Sequence, residues 1–365
     1  MHTWGSGTNG KIGNLTSTGN KSYPTSLGTD SWTTVSTGSR ASHMAAVRSD
    51  GALFTWGLNS NGELGLGVSG TINNRSSPVQ VGFQSWTYLA SGNGYTIGLN
   101  NNQSLFYWGK ASVNGVGILS TIVMASPTFI RTVNEEYTSI LAGPINSAIR
   151  KDGALIVWGL NSDGQLGVNN RTDEQYPRRL GNQSWITVSS DTNYATFAIR
   201  NDKTLWAWGR NTNQGLLGLN SVITNRSSPV QVGALRYSYV DGGNVHAAAV
   251  RTDGVLSLWG WNNSGQLGIG DVISRSSPTQ LGTLADYAVS TTTPVSPTQI
   301  GSLGWSKVSA GTSYSMAIRS DNALFAWGAS TNALMVGSPT QVLGYSATQI
   351  SAGLRNFGFI STSSE

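Results

Sequence analysis

Residues 48–67 read RSDGALFTWGLNSNGELGLG, and the fold follows from how this stretch is parsed. Asp50-Gly51 interrupts two apolar runs, AAV before it and ALFTW after it. Asp-Gly between such runs is a strong hairpin signal, because a two-residue type I′ turn needs positive φ at both central positions. The second run ends on Trp56-Gly57 and opens into a Gly/Asn-rich loop. A single hairpin of this kind is marginal in water, so it needs partners.

The chain supplies them by repetition. Runs ending in Trp-Gly recur with their tryptophans at Trp4, Trp56, Trp108, Trp158, Trp208, Trp259 and Trp327. SAIRKDGALIVWG and AAVRTDGVLSLWG repeat the hairpin, whereas IRNDKTLWAWG and IRSDNALFAWG keep the Asp and replace the Gly. LNSDGQLGVN and WNNSGQLGIG repeat the loop, and SSPVQVG at 76–82 and 227–233 or SSPTQLG at 276–282 comes next. Proline in that short run marks an outer edge strand, where its missing N–H leaves no ladder bond unmade. A further strand follows in SWTTVSTG, SWTYLASG and GWSKVSAG. Ala154-Leu155-Ile156-Val157-Trp158 is apolar on both alternating faces, as in a strand covered on both sides. Four short antiparallel strands per unit, seven times over, make an all-β, seven-bladed β-propeller whose blades cover one another.

Aligning AIRSDNALFAWG with the chain ends puts Ile360 opposite Ile318 in the repeat, and Trp4 opposite Trp327. The expectation is one domain over 1–365, with a composite seventh blade made of about 345–365 plus 1–28. MHTWG is then a buried central strand, and its surroundings carry no secretory leader pattern. Between Trp259 and Trp327 the spacing lengthens, and the excess falls in a loop at about 283–304. Its SPTQIG echoes the preceding SPTQLG, so it reads as a partial duplication. Asp286 and Tyr287 are its candidate contact residues, since long loops on rigid scaffolds often carry binding.

These repeats, with WGLNSNGELGLG flanked by RSDG and SPVQVG, resemble those of the regulator of chromosome condensation family. The resemblance covers nearly the whole chain and implies a seven-bladed propeller. It also implies a choice of roles: nucleotide exchange on a small GTPase, enzyme inhibition by docking one face, or ultraviolet-B reception. The photoreceptor members use Gly-Trp-Arg-His-Thr repeats, and here only Trp261 follows a Trp-Gly pair.

Charge narrows partners. Asp, Glu, Lys and Arg make up 11% of the chain, against about 25% in ordinary soluble domains, and the net charge is only +5. No Lys/Arg stripe suggests nucleic acid, and no apolar run suggests membrane insertion. Cysteine is absent, which removes thiolate chemistry. No catalytic residue, metal site or cofactor is expected: His2, His43 and His246 have no ligand-spaced companions.

Two recurring sets of side chains remain. Arg48, Arg150, Arg200, Arg251 and Arg319 each precede an Asp by two residues at a hairpin, which reads as local pairing on one face or as a binding ring. His43, Tyr95, His246 and Tyr314 begin what read as the inner strands at the opposite mouth, as packing or as an interaction face for protein or glycan. The uncharged Ser/Thr/Asn/Gly-rich surface favours a non-enzymatic, multicopy structural or adhesive protein of a phage or virus particle. Its partners would be virion components, or a host surface protein or glycan. The alternative is a cellular interaction module, cytoplasmic or secreted, of the exchange-factor or enzyme-inhibitor type.

Overall fold

The computed structural model describes all residues except 16–17, 39–40, 111–122, 131–134, 144, 191–193, 212–213, 223, 282–303, 329–338, 353–355 and 362–365. Asp286 and Tyr287 therefore lie outside the described residues. The fold is an all-β propeller of seven blades, each of four antiparallel strands. In the first blade these are Trp32–Ser36, His43–Arg48, Ala52–Gly57 and the first half of Arg75–Ser91.

Long strands explain how the blades connect. Arg75–Ser91, Glu174–Ser190, Arg226–Gly242 and Thr340–Ala352 each form the outermost strand of one blade and then the innermost strand of the next. Pro78 and Pro229 sit in their outer halves, where the missing N–H faces no strand. Seven innermost strands line a central channel, contributing among others Ser36, Ala90, Leu141, Ser189, Asp241, Ser309 and Ser351.

The second and third strands of each blade are buried, because neighbouring blades cover both faces. Ala154–Gly159 is buried at every position, and His43–Arg48 at all but the last. Between blades lie apolar layers such as Phe197, Leu205, Leu217, Val240 and Trp259, all at most 2% exposed. Fully burying side chains of this size contributes about 1.5–3 kcal/mol each.

The composite blade has the register of the others. His2–Gly5 pairs with Asn356–Ser361, with Trp4 opposite Phe357 and Gly5 opposite Asn356. In the sixth blade Trp327 stands opposite Ser315 and Gly328 opposite Tyr314. Trp4 stacks on Phe357 at 4.6 Å, and Tyr314 of the sixth blade meets Phe357 at 4.3 Å. The hydrophobic start of the chain is thus buried in this seam.

Candidate functional site

The repeat hallmarks prove to be contacts between blades. Among the described residues, the loops after Trp4-Gly5, Trp56-Gly57, Trp158-Gly159, Trp208-Gly209 and Trp259-Gly260 reach over the next blade and lie against its tryptophan. Trp208 Nε1 donates to the Gln165 carbonyl at 2.9 Å, Trp259 to Leu216 at 2.8 Å, Trp327 to Gln266 at 2.9 Å and Trp56 to Lys11 at 2.8 Å. Gly167, the second glycine of GQLG, has φ +72°, and a Cβ there would lie 2.7 Å from Trp208 Nε1. Gly268 stands in the same relation to Trp327. Glycine recurs at this position because the indole leaves no room for a side chain.

His43, Tyr95, His246 and Tyr314 also lock blades. They begin the second strand of their blades, not the innermost one, and are between 0% and 5% exposed. His43 Nε2 meets Thr96 Oγ1 of the next blade at 2.7 Å, and that hydroxyl donates to the Glu63 carbonyl at 2.9 Å. Having spent its proton there, the hydroxyl accepts from the histidine. His246 repeats the arrangement with Ser315 at 2.8 Å and the Gln266 carbonyl at 3.0 Å. Burial pushes His43 down to about 3 and His246 down to about 4, so both are neutral. Tyr95 donates to the Asn146 side chain at 2.7 Å. These four side chains are packed between blades and offer no surface to a partner, so the reading of them as an exposed interaction face is corrected.

The hairpin arginines divide. Arg48 and Arg319 reach Asp50 and Asp321 at 2.7 Å, and Arg150 and Arg251 pair with Asp152 and Asp253. The Arg48 hydrogen bonds hold Asp50 down at about 2, and Arg319 does the same for Asp321. Arg200 departs from the pattern: its guanidinium lies over the Trp206 ring at 3.5 Å. Asp202 instead accepts from the Thr204 amide at 2.9 Å and faces Arg236 at 3.7 Å.

A polar ring around the channel has no counterpart in the sequence reading. At the fifth residue of an innermost strand, counted from its Trp or Tyr or, in the composite blade, from Ala347, an oxygen accepts a backbone N–H from the following blade. Ser36 accepts from Ser91 N at 2.9 Å, Ser189 from Gly242 N at 3.0 Å and Asp241 from Ala310 N at 2.8 Å. Ser309 accepts from Ala352 N at 3.0 Å, and Ser351 from Thr37 N at 3.1 Å. Ala90 and Leu141 stand at the two remaining positions and have no such oxygen. Asp241 joins two arms of this ring, since the Ser189 and Ser309 hydroxyls both donate to its carboxylate, at 2.7 and 3.1 Å. Burial raises the Asp241 carboxyl above its ordinary range. The channel encloses about 420 Å³, with Tyr88, Tyr239 and Asp241 in its wall.

Among the described residues no cluster of three His, Asp or Glu could hold a metal ion. No described helix is long and apolar enough to cross a membrane.

The regulator of chromosome condensation (RCC1) repeat family matches residues 50–99, 152–194 and 253–318. These segments are RCC1 repeats. Ultraviolet-B receptor UVR8 of Arabidopsis thaliana is 28% identical over 301 residues, which are 79% of this chain and 63% of that one. RUG3, a mitochondrial RCC1 domain-containing protein of the same plant, is 25% identical over 76% of this chain and 62% of its own length. The chain thus spans less than two thirds of either relative. Among solved structures, Prp20p of Saccharomyces cerevisiae superposes with a TM-score of 0.80 at 18% identity, over 99% of this chain and 91% of that one. Human WBSCR16 superposes with a TM-score of 0.82 at 16% identity, over 99% of both chains.

RCC1 relatives of this kind are cellular proteins, which overturns the expectation of a virion location and virion partners. The composition misled for a physical reason. Many of the uncharged polar residues counted as surface are structural: Asn59, Asn161, Asn262, Thr96 and Ser315 are fully buried. In this propeller, such Ser, Thr and Asn side chains are buried in the structure instead of meeting solvent.

Proposed function

We propose that this RCC1-repeat chain is a non-enzymatic interaction module of a cell, which holds a protein partner on a rigid ring. One observation carries this reading: the recurrent polar side chains are used up between blades. His43, His246 and the ring at Asp241 are each committed to neighbouring backbone or hydroxyl groups. None is poised in a cleft as a base beside a nucleophile, which catalysis would require. What varies from blade to blade is the loops and hairpins, and variable loops on a fixed scaffold are where binding resides.

The similarity to Prp20p, a structure described together with its binding properties to Gsp1p and histones, makes a small GTPase the first partner to try. Light reception has less support, because the residues after the seven Trp-Gly pairs are Ser6, Leu58, Lys110, Leu160, Arg210, Trp261 and Ala329, a single tryptophan among them.

The test immobilises the whole chain and measures saturable binding of Gsp1p together with release of its bound nucleotide. Affinity capture from the cell of origin runs in parallel, with a variant whose 58–74 and 261–274 loops are exchanged. Saturable capture that the loop exchange abolishes supports an interaction module, and accelerated nucleotide release specifies exchange. Recovery of the chain alone at every concentration, or substrate turnover lost on replacing His43, overturns it.

A further inference from the structure

Arg200 is the one described hairpin arginine that has left its aspartate. Thr204 and Arg236 occupy Asp202, and Arg200 instead lies over Trp206 with a buried Nε that has no hydrogen-bond partner among the described residues. It does not point into open solvent. It lines a cleft of about 340 Å³ in the lateral wall between the outer strands of the third and fourth blades.

Two more arginines, Arg178 and Arg179, line the same cleft. Arg178 is paired with Glu174, four residues before it. Arg179 makes no ion pair among the described residues, and Asp152, whose carboxylate it influences, is held by Arg150. Three cations and one paired carboxylate leave an excess of positive charge in a space with apolar walls at Val168, Leu180 and Pro229.

We infer that this cleft is a docking site for an acidic segment of a partner protein, whose Asp or Glu carboxylate is received by Arg179 and Arg200. The planar fork of an arginine matches a carboxylate with two parallel hydrogen bonds, and the stack on Trp206 holds the Arg200 fork in place beforehand. The remaining surroundings fit a peptide better than a free anion. Arginine beside an apolar wall is a residue type that dominates protein contacts, and Val168 and Pro229 give the flanking methylene groups a dry surface. The inference rests on the interaction-module reading and names the chemistry of its partner.

The experiment follows the anisotropy of a labelled oligoglutamate peptide titrated with the full chain. Arg179→Gln with Arg200→Gln is compared with Arg48→Gln plus Arg319→Gln, which removes the same charge from hairpins where the arginines are paired. The cleft variant is expected to bind about tenfold more weakly or worse, from the loss of charge-assisted hydrogen bonds, while the control stays within about twofold. Arg179→Gln alone, which disturbs no stacking, should reproduce part of the loss with an unchanged melting temperature. Equal weakening in both double variants would mean that net charge alone attracts the peptide, and would overturn the site. Displacement of the peptide by inorganic phosphate at equal charge concentration would overturn the peptide assignment. If the cleft variant keeps full affinity for a captured partner, the cleft fails while the interaction module stands.

Discussion

Replacing Gly167 with Ala tests whether the GQLG loop is a lock between blades. The new Cβ would lie 2.7 Å from Trp208 Nε1, a distance that forces the indole or the loop to move. Three costs follow. Alanine at φ +72° costs about 1 kcal/mol. Overpacking a tight contact costs about 1–3 kcal/mol. Displacing the indole from the Gln165 carbonyl, now 2.9 Å away, strands a buried donor at about 1 kcal/mol or more. The sum is about 3–5 kcal/mol. An unfolding entropy of about 2.1 cal/mol/K per residue makes this a fall in Tm of about 4–6 °C for a chain of this length. Gly233→Ala is the control, since Gly233 has φ +59° but open space around its Cβ direction. It should cost about 1 kcal/mol, or about 1 °C. Scanning calorimetry on both variants reads the difference, and equal shifts would show that backbone conformation alone, not the indole, demands glycine there.

His43 and His246 are held neutral at about 3 and about 4, below the ordinary value near 6.5, so their contribution is intact above that value and is lost as pH falls. Each should remove about 1.4 kcal/mol of stability per pH unit below about 6.5 until its folded value is reached. Urea melts at pH 7 and pH 5 should differ by about 4 kcal/mol, a difference that His43→Gln with His246→Gln should largely abolish. Asp241→Ala leaves the Ser189 hydroxyl, the Ser309 hydroxyl and the Ala310 amide without their acceptor. With channel water as partial substitute, this should cost about 3 kcal/mol and lower Tm by about 4 °C, as calorimetry would show.

The Trp-Gly marks, the Asp-Gly turns and the outer-strand prolines were readable because each has a local cause: a strand end, a two-residue turn or a missing N–H. The closing seam was readable because Ile360 and Trp4 continue the register of Ile318 and Trp327. The innermost strand was not. His43 and its counterparts looked innermost because their strands are the most apolar, yet apolarity marks the middle of a blade, covered on both sides. The channel strand carries Thr, Ser and Tyr and reads as less buried. The serine or aspartate at its fifth position was the available signal, in WTTVS, WITVS, WSKVS and YSYVD. Its meaning depends on the strand of the next blade, far away in sequence. The Arg–Asp hairpins were legible as pairs, but the exception at Arg200 depends on Thr204, Trp206 and Arg236 and emerges only when the blades are assembled.

The most direct measurement is hydrogen exchange of the amides in His2–Gly5. If this segment is the third strand of a seventh blade, paired with Asn356–Ser361 and buried under Phe357 and Phe359, those amides should be protected to a degree similar to Ala154–Gly159, the equivalent strand of the third blade. Exchange at the rate of a frayed terminus, with Ala154–Gly159 still protected, would contradict the closed ring on which the locked blades and the assignment of function to the loops both depend.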